Sequence, residues 1–205
     1  MSSEKHILFL GDSITRHYYE NVNAELQKHE LVSHIPHKWV SQQNKQTRYI
    51  RRNLQNRKHN GPIMTMDAVH FNFGLHSIKL PNKGHDPNFK RSLPSWFEGY
   101  KIELEKEVRL LRRIGVPTIL FSNTTPNPRK AGMRNDEDVK ILNEIAFEVM
   151  KEYDVAYNDL YSHVKNTENY PLLYRHPRAE NNCHFNETGN EHLSKNICEF
   201  VLKNI

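Results

Sequence analysis

Short apolar runs alternate along this chain with longer stretches whose apolar residues recur at helical spacing. Ile7 to Leu10 is the first run and suits a buried strand, and Ile14, Tyr18, Tyr19, Val22 and Leu26 after it suit one face of an amphipathic helix. Leu31 to Val40 predicts a second strand, and Thr47 to Arg57 a short basic helix carrying Tyr49, Ile50 and Leu54, which Asn60-Gly61-Pro62 breaks. Ala68 to Phe73 predicts another buried strand that ends at Gly74. Ser95 to Ile114 carries Phe97, Tyr100, Leu104, Val108 and Leu111 on one helical face, with Gly115 as its C-cap and Trp96 packed in or at the rim of the core. Thr118 to Ser122 predicts a strand, Asp136 to Tyr153 a helix with Val139, Leu142, Ile145, Ala146 and Val149 inward, and Val155 to Tyr157 a short last strand. Glu187 to Leu202 predicts the closing helix, with Cys198 in its apolar pattern. Irregular connections are expected from Leu75 to about Pro94, from Asn123 to Arg134, and from His163 to Cys183.

Strands alternating with helices imply right-handed βαβ crossovers, and hence an α/β fold with a parallel sheet covered on both faces. The polar segments after Ser13, Gly74, Ser122 and Asn158 should then gather on the carboxyl edge of the sheet, where such folds bind ligands. With no internal repeat or linker, residues 1–205 read as one domain.

Composition narrows the function. At 37% hydrophobic and 26% charged, the chain can bury a core beneath a very polar surface. The net charge of +5 suits an anionic partner, but no aromatic-interleaved basic stripe accompanies it, so no nucleic-acid partner is expected. Cys183 and Cys198 are too few for a metal knuckle or a disulfide framework. No run approaches the roughly 20 apolar residues of a membrane span, and the first residues lack a signal-peptide pattern, so a cytoplasmic protein without a membrane partner is expected. Asn123-Thr124-Thr125 and Asn186-Glu187-Thr188 match the glycosylation triplet and are read as chance in that setting.

The candidate chemistry starts at Gly11-Asp12-Ser13, where the first strand hands over to the first helix. Gly11 allows a tight turn, and Asp12 can accept backbone N–H bonds around it. A serine in this place can be an ordinary N-cap, or a nucleophile whose own N–H also faces the ligand edge. A serine hydroxyl needs a base. His184, just before the last helix in Asn181-Asn182-Cys183-His184-Phe185-Asn186-Glu187-Thr188-Gly189, can be carried to the same edge.

These residues in this order resemble the SGNH hydrolases, also called the GDSL family. The likeness runs from Gly11-Asp12-Ser13-Ile14 through Phe73-Gly74-Leu75-His76 and Thr124-Thr125-Pro126 to His184-Phe185-Asn186-Glu187-Thr188-Gly189. It is strongest to an intracellular branch with an Asn-Asp-Leu-Tyr segment, matched by Asn158 to Tyr161. The resemblance implies a flavodoxin-like three-layer α/β/α sandwich around a parallel sheet of about five strands. It implies Ser13 as nucleophile, His184 as base, and an oxyanion hole from the N–H groups of Ser13 and Gly74 with a side chain two residues beyond, here His76.

Two positions depart from the family's pattern. Its asparagine oxyanion donor is replaced by His76, followed by Ser77, and its acid before the histidine is replaced by Asn181. An asparagine oxygen can accept the imidazole N–H and fix its tautomer, but cannot offset imidazolium charge as a carboxylate does. Asp159 is a candidate substitute acid, with a cap on the turn after Asn158 as its simpler role. The resemblance thus implies a serine esterase or deacylase acting without metal or cofactor on a small acyl ester, most simply an acetyl ester, with a carbohydrate as one candidate alcohol. Lys79 to Arg91 and Arg129 to Arg134 bring positive charge toward the expected mouth, which suits an anionic or polyhydroxylated substrate. An O-acyltransferase using the same residues, or a binding protein that kept the fold and lost the chemistry, are the alternatives.

Overall fold

A computed structural model describes residues 4–36, 43–55, 65–76, 78, 93–128, 135–176 and 183–205. Five strands, β1 (Lys5–Leu10), β2 (Leu31–His34), β3 (Ala68–Phe71), β4 (Thr118–Ser122) and β5 (Ala156–Asn158), pair in the order β2-β1-β3-β4-β5. All pairs are parallel: Ile7 stands beside Ala68, Phe71 beside Phe121 and Ser122 beside Asn158. The helices are α1 (Ser13–Gln27), α2 (Gln43–Ile50) continued by a π-helical turn (Arg51–Gln55), α3 (Leu93–Arg113), α4 (Asp136–Glu152), α5 (Leu160–Lys165) and α6 (Glu187–Asn204).

This strand order fixes the layers. Stepping outward from β1 to β2 and then back across to β3 reverses the winding, so right-handed crossovers place α1 on one face and α2, α3 and α4 on the other. α6 returns to pack beside α1, while α3 packs between α2 and α4. The result is the expected three-layer sandwich, and its reversal point lies between β1 and β3. No described helix is long and apolar enough to cross a membrane.

Ile7, Leu8, Phe9 and Leu10 are all fully buried, because β1 has a helical layer on each face and thus carries consecutive rather than alternating apolar residues. Phe71 meets Phe121 edge-on with ring centroids 4.9 Å apart, and Tyr100 from α3 donates its hydroxyl to the Phe73 carbonyl at 3.0 Å. Gly115, at φ 82°, ends α3 in the left-handed conformation that glycine adopts without penalty.

Several boundaries differ from the sequence expectations. β2 is a half-buried edge strand ending at His34, short as edge strands tend to be, and the rest of its expected span to Val40 reaches beyond the described residues. α2 begins four residues before Thr47. α3 begins at Leu93, since Pro94 is tolerated in a first turn, where the N–H that proline lacks would have had no helical partner. The expected irregular stretch from His163 holds the end of α5 and a 3₁₀ turn, Tyr170–Leu173, both too short to display a period. Trp96 is 37% exposed rather than in the core. Trp39, Asn60-Gly61-Pro62, Lys79 to Arg91 and Arg129 to Arg134 lie outside the described residues.

His70 sits in the central strand, fully buried, with Nε2 2.7 Å from Ser122 Oγ. Burial pulls its pKa down to about 3. An unfolded histidine titrates near 6.5, so below that pH the unfolded state binds a proton the folded state refuses, and stability falls as pH falls toward 3. One proton corresponds to about 1.4 kcal/mol per pH unit. His70→Gln can keep the bond to Ser122 but cannot titrate. Its urea-unfolding free energy should therefore decline less steeply from pH 6.5 to pH 4 than that of the parent, and identical slopes would contradict the assignment.

Candidate active site

Ser13 is the first residue of α1, directly after β1. The cap is Asp12, whose Oδ1 accepts the Ile14 N–H at 2.9 Å. That leaves the Ser13 hydroxyl free for another partner, which it finds in His184 Nε2 at 2.8 Å. Gly11 is required for a reason other than turn conformation. A Cβ there would stand 2.0 Å from Thr15 Oγ1, so the next turn of α1 folds back against this residue and no side chain fits.

His184 is delivered by a clamp built from backbone and ring contacts. Tyr174 and Phe185 form an isolated antiparallel bridge, with the Arg175 N–H donating to the His184 carbonyl and the Asn186 N–H to the Leu173 carbonyl, both at 2.9 Å. Buried Phe185 stacks on Tyr174 at 4.4 Å, and the Tyr174 hydroxyl donates to the Pro126 carbonyl. Asn186 then caps α6 by accepting the Gly189 N–H at 2.8 Å. Gly189 must be glycine because a Cβ would fall 2.3 Å from the Leu173 carbonyl oxygen. The His-Phe-Asn-Glu-Thr-Gly segment is therefore mostly a device for fixing one imidazole.

Gly74 follows β3 on the same edge, and its N–H has no acceptor among the described residues. Thr124 packs against it so closely that a Cβ at Gly74 would lie 2.3 Å from Thr124 Oγ1. That hydroxyl is buried without a hydrogen-bond partner among the described residues, while the Thr124 backbone is held by both arms of the Asn143 amide, at 3.0 and 2.8 Å. His76 is half-buried in the turn after Gly74. Asn181 and Ser77 lie outside the described residues. Asp159 takes the simpler of its two roles: its Oδ1 accepts the Ser162 N–H at 3.0 Å, capping α5, and the Asn123 side chain at 2.7 Å. Among the described residues no group of three or more His, Cys, Asp or Glu side chains could hold a metal ion.

His17 was not among the expected site residues, yet its ring stands edge-on to that of His184, centroids 4.9 Å apart. Burial, then the nearby Arg175, lower its pKa, which favours the neutral ring. Its spacing of one helical turn from Ser13 was the available signal, since residues four apart share a face.

Neither a protein-family model nor a curated protein sequence matches the chain. Solved structures do. A lipase/acylhydrolase from Enterococcus faecalis superimposes with a TM-score of 0.72 at 18% identity, over 96% of this chain and 95% of that one. A member of the lipolytic G-D-S-L family from Veillonella parvula gives 0.65 at 16%, over 95% and 97%. An acetyl xylan esterase, AlAXEase, gives 0.65 at 15%, over 96% and 99%. The chain has the fold of the GDSL-type hydrolases.

The Gly74 and Thr124 contact is open to a double-mutant cycle. Gly74→Ala should cost about 1–3 kcal/mol in urea unfolding, because the new methyl has no room. Thr124→Ala removes the obstructing atom, so the double variant should be more stable than the sum of the single losses by at least about 0.5 kcal/mol. Strict additivity would mean the crowding is relieved elsewhere.

Proposed function

We propose that this protein is a serine esterase or deacylase that cleaves small acyl esters through an acyl-enzyme on Ser13. The observation that carries the reading is the 2.8 Å contact of Ser13 Oγ with His184 Nε2 at the carboxyl edge of the sheet, next to the reversal point. The likeness of the fold to acylhydrolases and to an acetyl xylan esterase supports it and favours an acetyl ester, with a carbohydrate as the alcohol.

In this mechanism His184 Nε2 accepts the Ser13 proton as Oγ attacks the ester carbonyl, then returns it to the departing alkoxide. The Ser13 N–H, at a helix start where no intrahelical acceptor exists, and the Gly74 N–H stabilise the oxyanion, with His76 as a third donor. Water, activated by the same imidazole, releases the acid. By the family resemblance, Asn181 is the residue assigned to accept the other ring N–H and hold the tautomer. Because its amide carries no charge to offset the imidazolium, a neutral His17 at its side matters: a second cation 4.9 Å away would oppose proton uptake.

Ser13→Ala should reduce turnover of 4-nitrophenyl acetate at least about 10³-fold while leaving the circular dichroism spectrum unchanged, and retained turnover would refute the nucleophile. Labelling by a fluorophosphonate, read by intact mass, should rise through the pH range of imidazole deprotonation. Asn181→Asp should label faster than the parent, since a carboxylate favours the protonated imidazole formed during attack. Labelling of the Asn181→Asp variant alone, with none in the parent, would replace this reading with that of a binding protein.

A further inference from the structure

The far end of the molecule carries a second feature. Between α2 with its π-helical turn and the second half of α3 lies an open groove of about 700 Å³ lined by Thr47, Leu110 and the cations Arg48, Arg51, Arg52, Lys106, Arg109 and Arg113. Among the described residues no acidic side chain lines it. Arg109 is already engaged by Glu105 at 3.1 Å and the Tyr153 hydroxyl at 2.6 Å. The other five form no hydrogen bond or ion pair among the described residues and are exposed.

The sequence spacing shows how the cluster is built. Arg51 and Arg52 stand three and four residues after Arg48, and Lys106, Arg109 and Arg113 follow one another at intervals of three and four, so each helix gathers like charges on one face. Such pairs oppose folding, and surfaces ordinarily intersperse signs. Arg51 and Arg52 also stand on a π-helical turn, a rare backbone form that concentrates at functional sites. Five of the six cations are arginine, the side chain whose planar fork matches phosphate oxygens in pairs.

We propose that this groove binds a compact polyphosphorylated molecule whose linked phosphoryl groups lie between the two rows. The dimensions favour such a ligand over nucleic acid. From Lys106 to Arg113 the row is only about 10 Å long at 1.5 Å per residue, too short to track a backbone through many phosphates. No described aromatic side chain lines the groove, so unpaired bases would find no stacking platform there. The groove is also remote from Ser13. α3 starts beyond the carboxyl end of β3 and its last turn leads into the start of β4, so Lys106 to Arg113 lie toward the opposite edge of the sheet.

The experiment is calorimetric titration of the full chain with sodium tripolyphosphate at low and high salt. One saturable site is expected, weakened by salt as exposed charge pairs are. Arg51→Glu with Arg113→Glu should weaken binding at least about tenfold, and the neutral pair Arg51→Gln with Arg113→Gln should do so less, both without changing ester turnover. Lys195→Glu with Lys203→Glu alters net charge equally on exposed α6 positions and should leave affinity within about twofold. Absence of saturable binding, or equal losses in the two charge-reversed pairs, would overturn the proposal. Tighter capture of a single-stranded RNA oligonucleotide, abolished by the Arg51 and Arg113 substitutions, would do the same and assign the groove to nucleic acid.

Discussion

The hydrogen bond from Ser13 to His184 spans 171 residues of sequence, and the arrangement of the outer layers serves it. It forms only if the start of α6 is carried to the start of α1, which requires the two helices to lie side by side on one face of the sheet. Leu26 and Val22 of α1 and Leu193, Ile197 and Val201 of α6 are fully buried, so apolar burial holds the two termini together. Cys198 joins that seam, its thiol against the Val22 carbonyl at 3.8 Å and its pKa raised to about 11 by burial, as a packing residue rather than a reactive one.

Three glycines of the site obey one constraint. Gly11 yields space to Thr15, Gly74 to Thr124 and Gly189 to the Leu173 carbonyl, and none of them has a positive φ. They are small because another part of the chain passes where a Cβ would be, which brings strand ends and helix starts close enough to converge on one edge. Below that edge, asparagine amides replace apolar packing. Asn72 donates to the Ser122 and Asn123 carbonyls, Asn123 ties Tyr157, Asp159 and the Tyr161 N–H together, and Asn158 joins Ser122 to Asn196 of α6. The Asn72 and Asn123 amides satisfy backbone groups that loops would otherwise bury unpaired, while Asn158 links side chains.

What was legible in the sequence follows from this. Strands and long helices could be read because burial on both faces demands unbroken apolar runs and burial on one demands a period, as at Ile7 to Leu10 and along α4. The topology could be read because alternation leaves few right-handed solutions. Short elements could not: α5 depends on an Asp159 cap and the 3₁₀ turn on Pro171, local signals without a period. The function of Gly11 was misread, since sequence shows that a glycine is present but not which neighbour presses on it. His17 was missed because its proximity to His184 depends on the α1 and α6 packing as well as on its turn of helix. The groove cations were visible as a basic helix, yet only the apposition of α3 turns them into a two-sided cleft.

Histidine links the site to the fold as a whole. His17, His34, His70 and His163 all have lowered pKa values, and in each the leading cause is burial. In each the folded chain favours the neutral ring more than the unfolded one does, so each adds to the loss of stability in acid with the same sign. In His17 and His163 the burial effect is reinforced by a neighbouring cation or ring, Arg175 for the first and the stacked His192, 4.1 Å away, for the second. A chain with 13 histidines and a basic balance would otherwise accumulate interior charge as pH falls. Burial favours the neutral ring at all four positions, most strongly at fully buried His70. The lowered pKa of His17 beside His184 is the local expression of that rule, with the same physical cause behind it, the desolvation of imidazole.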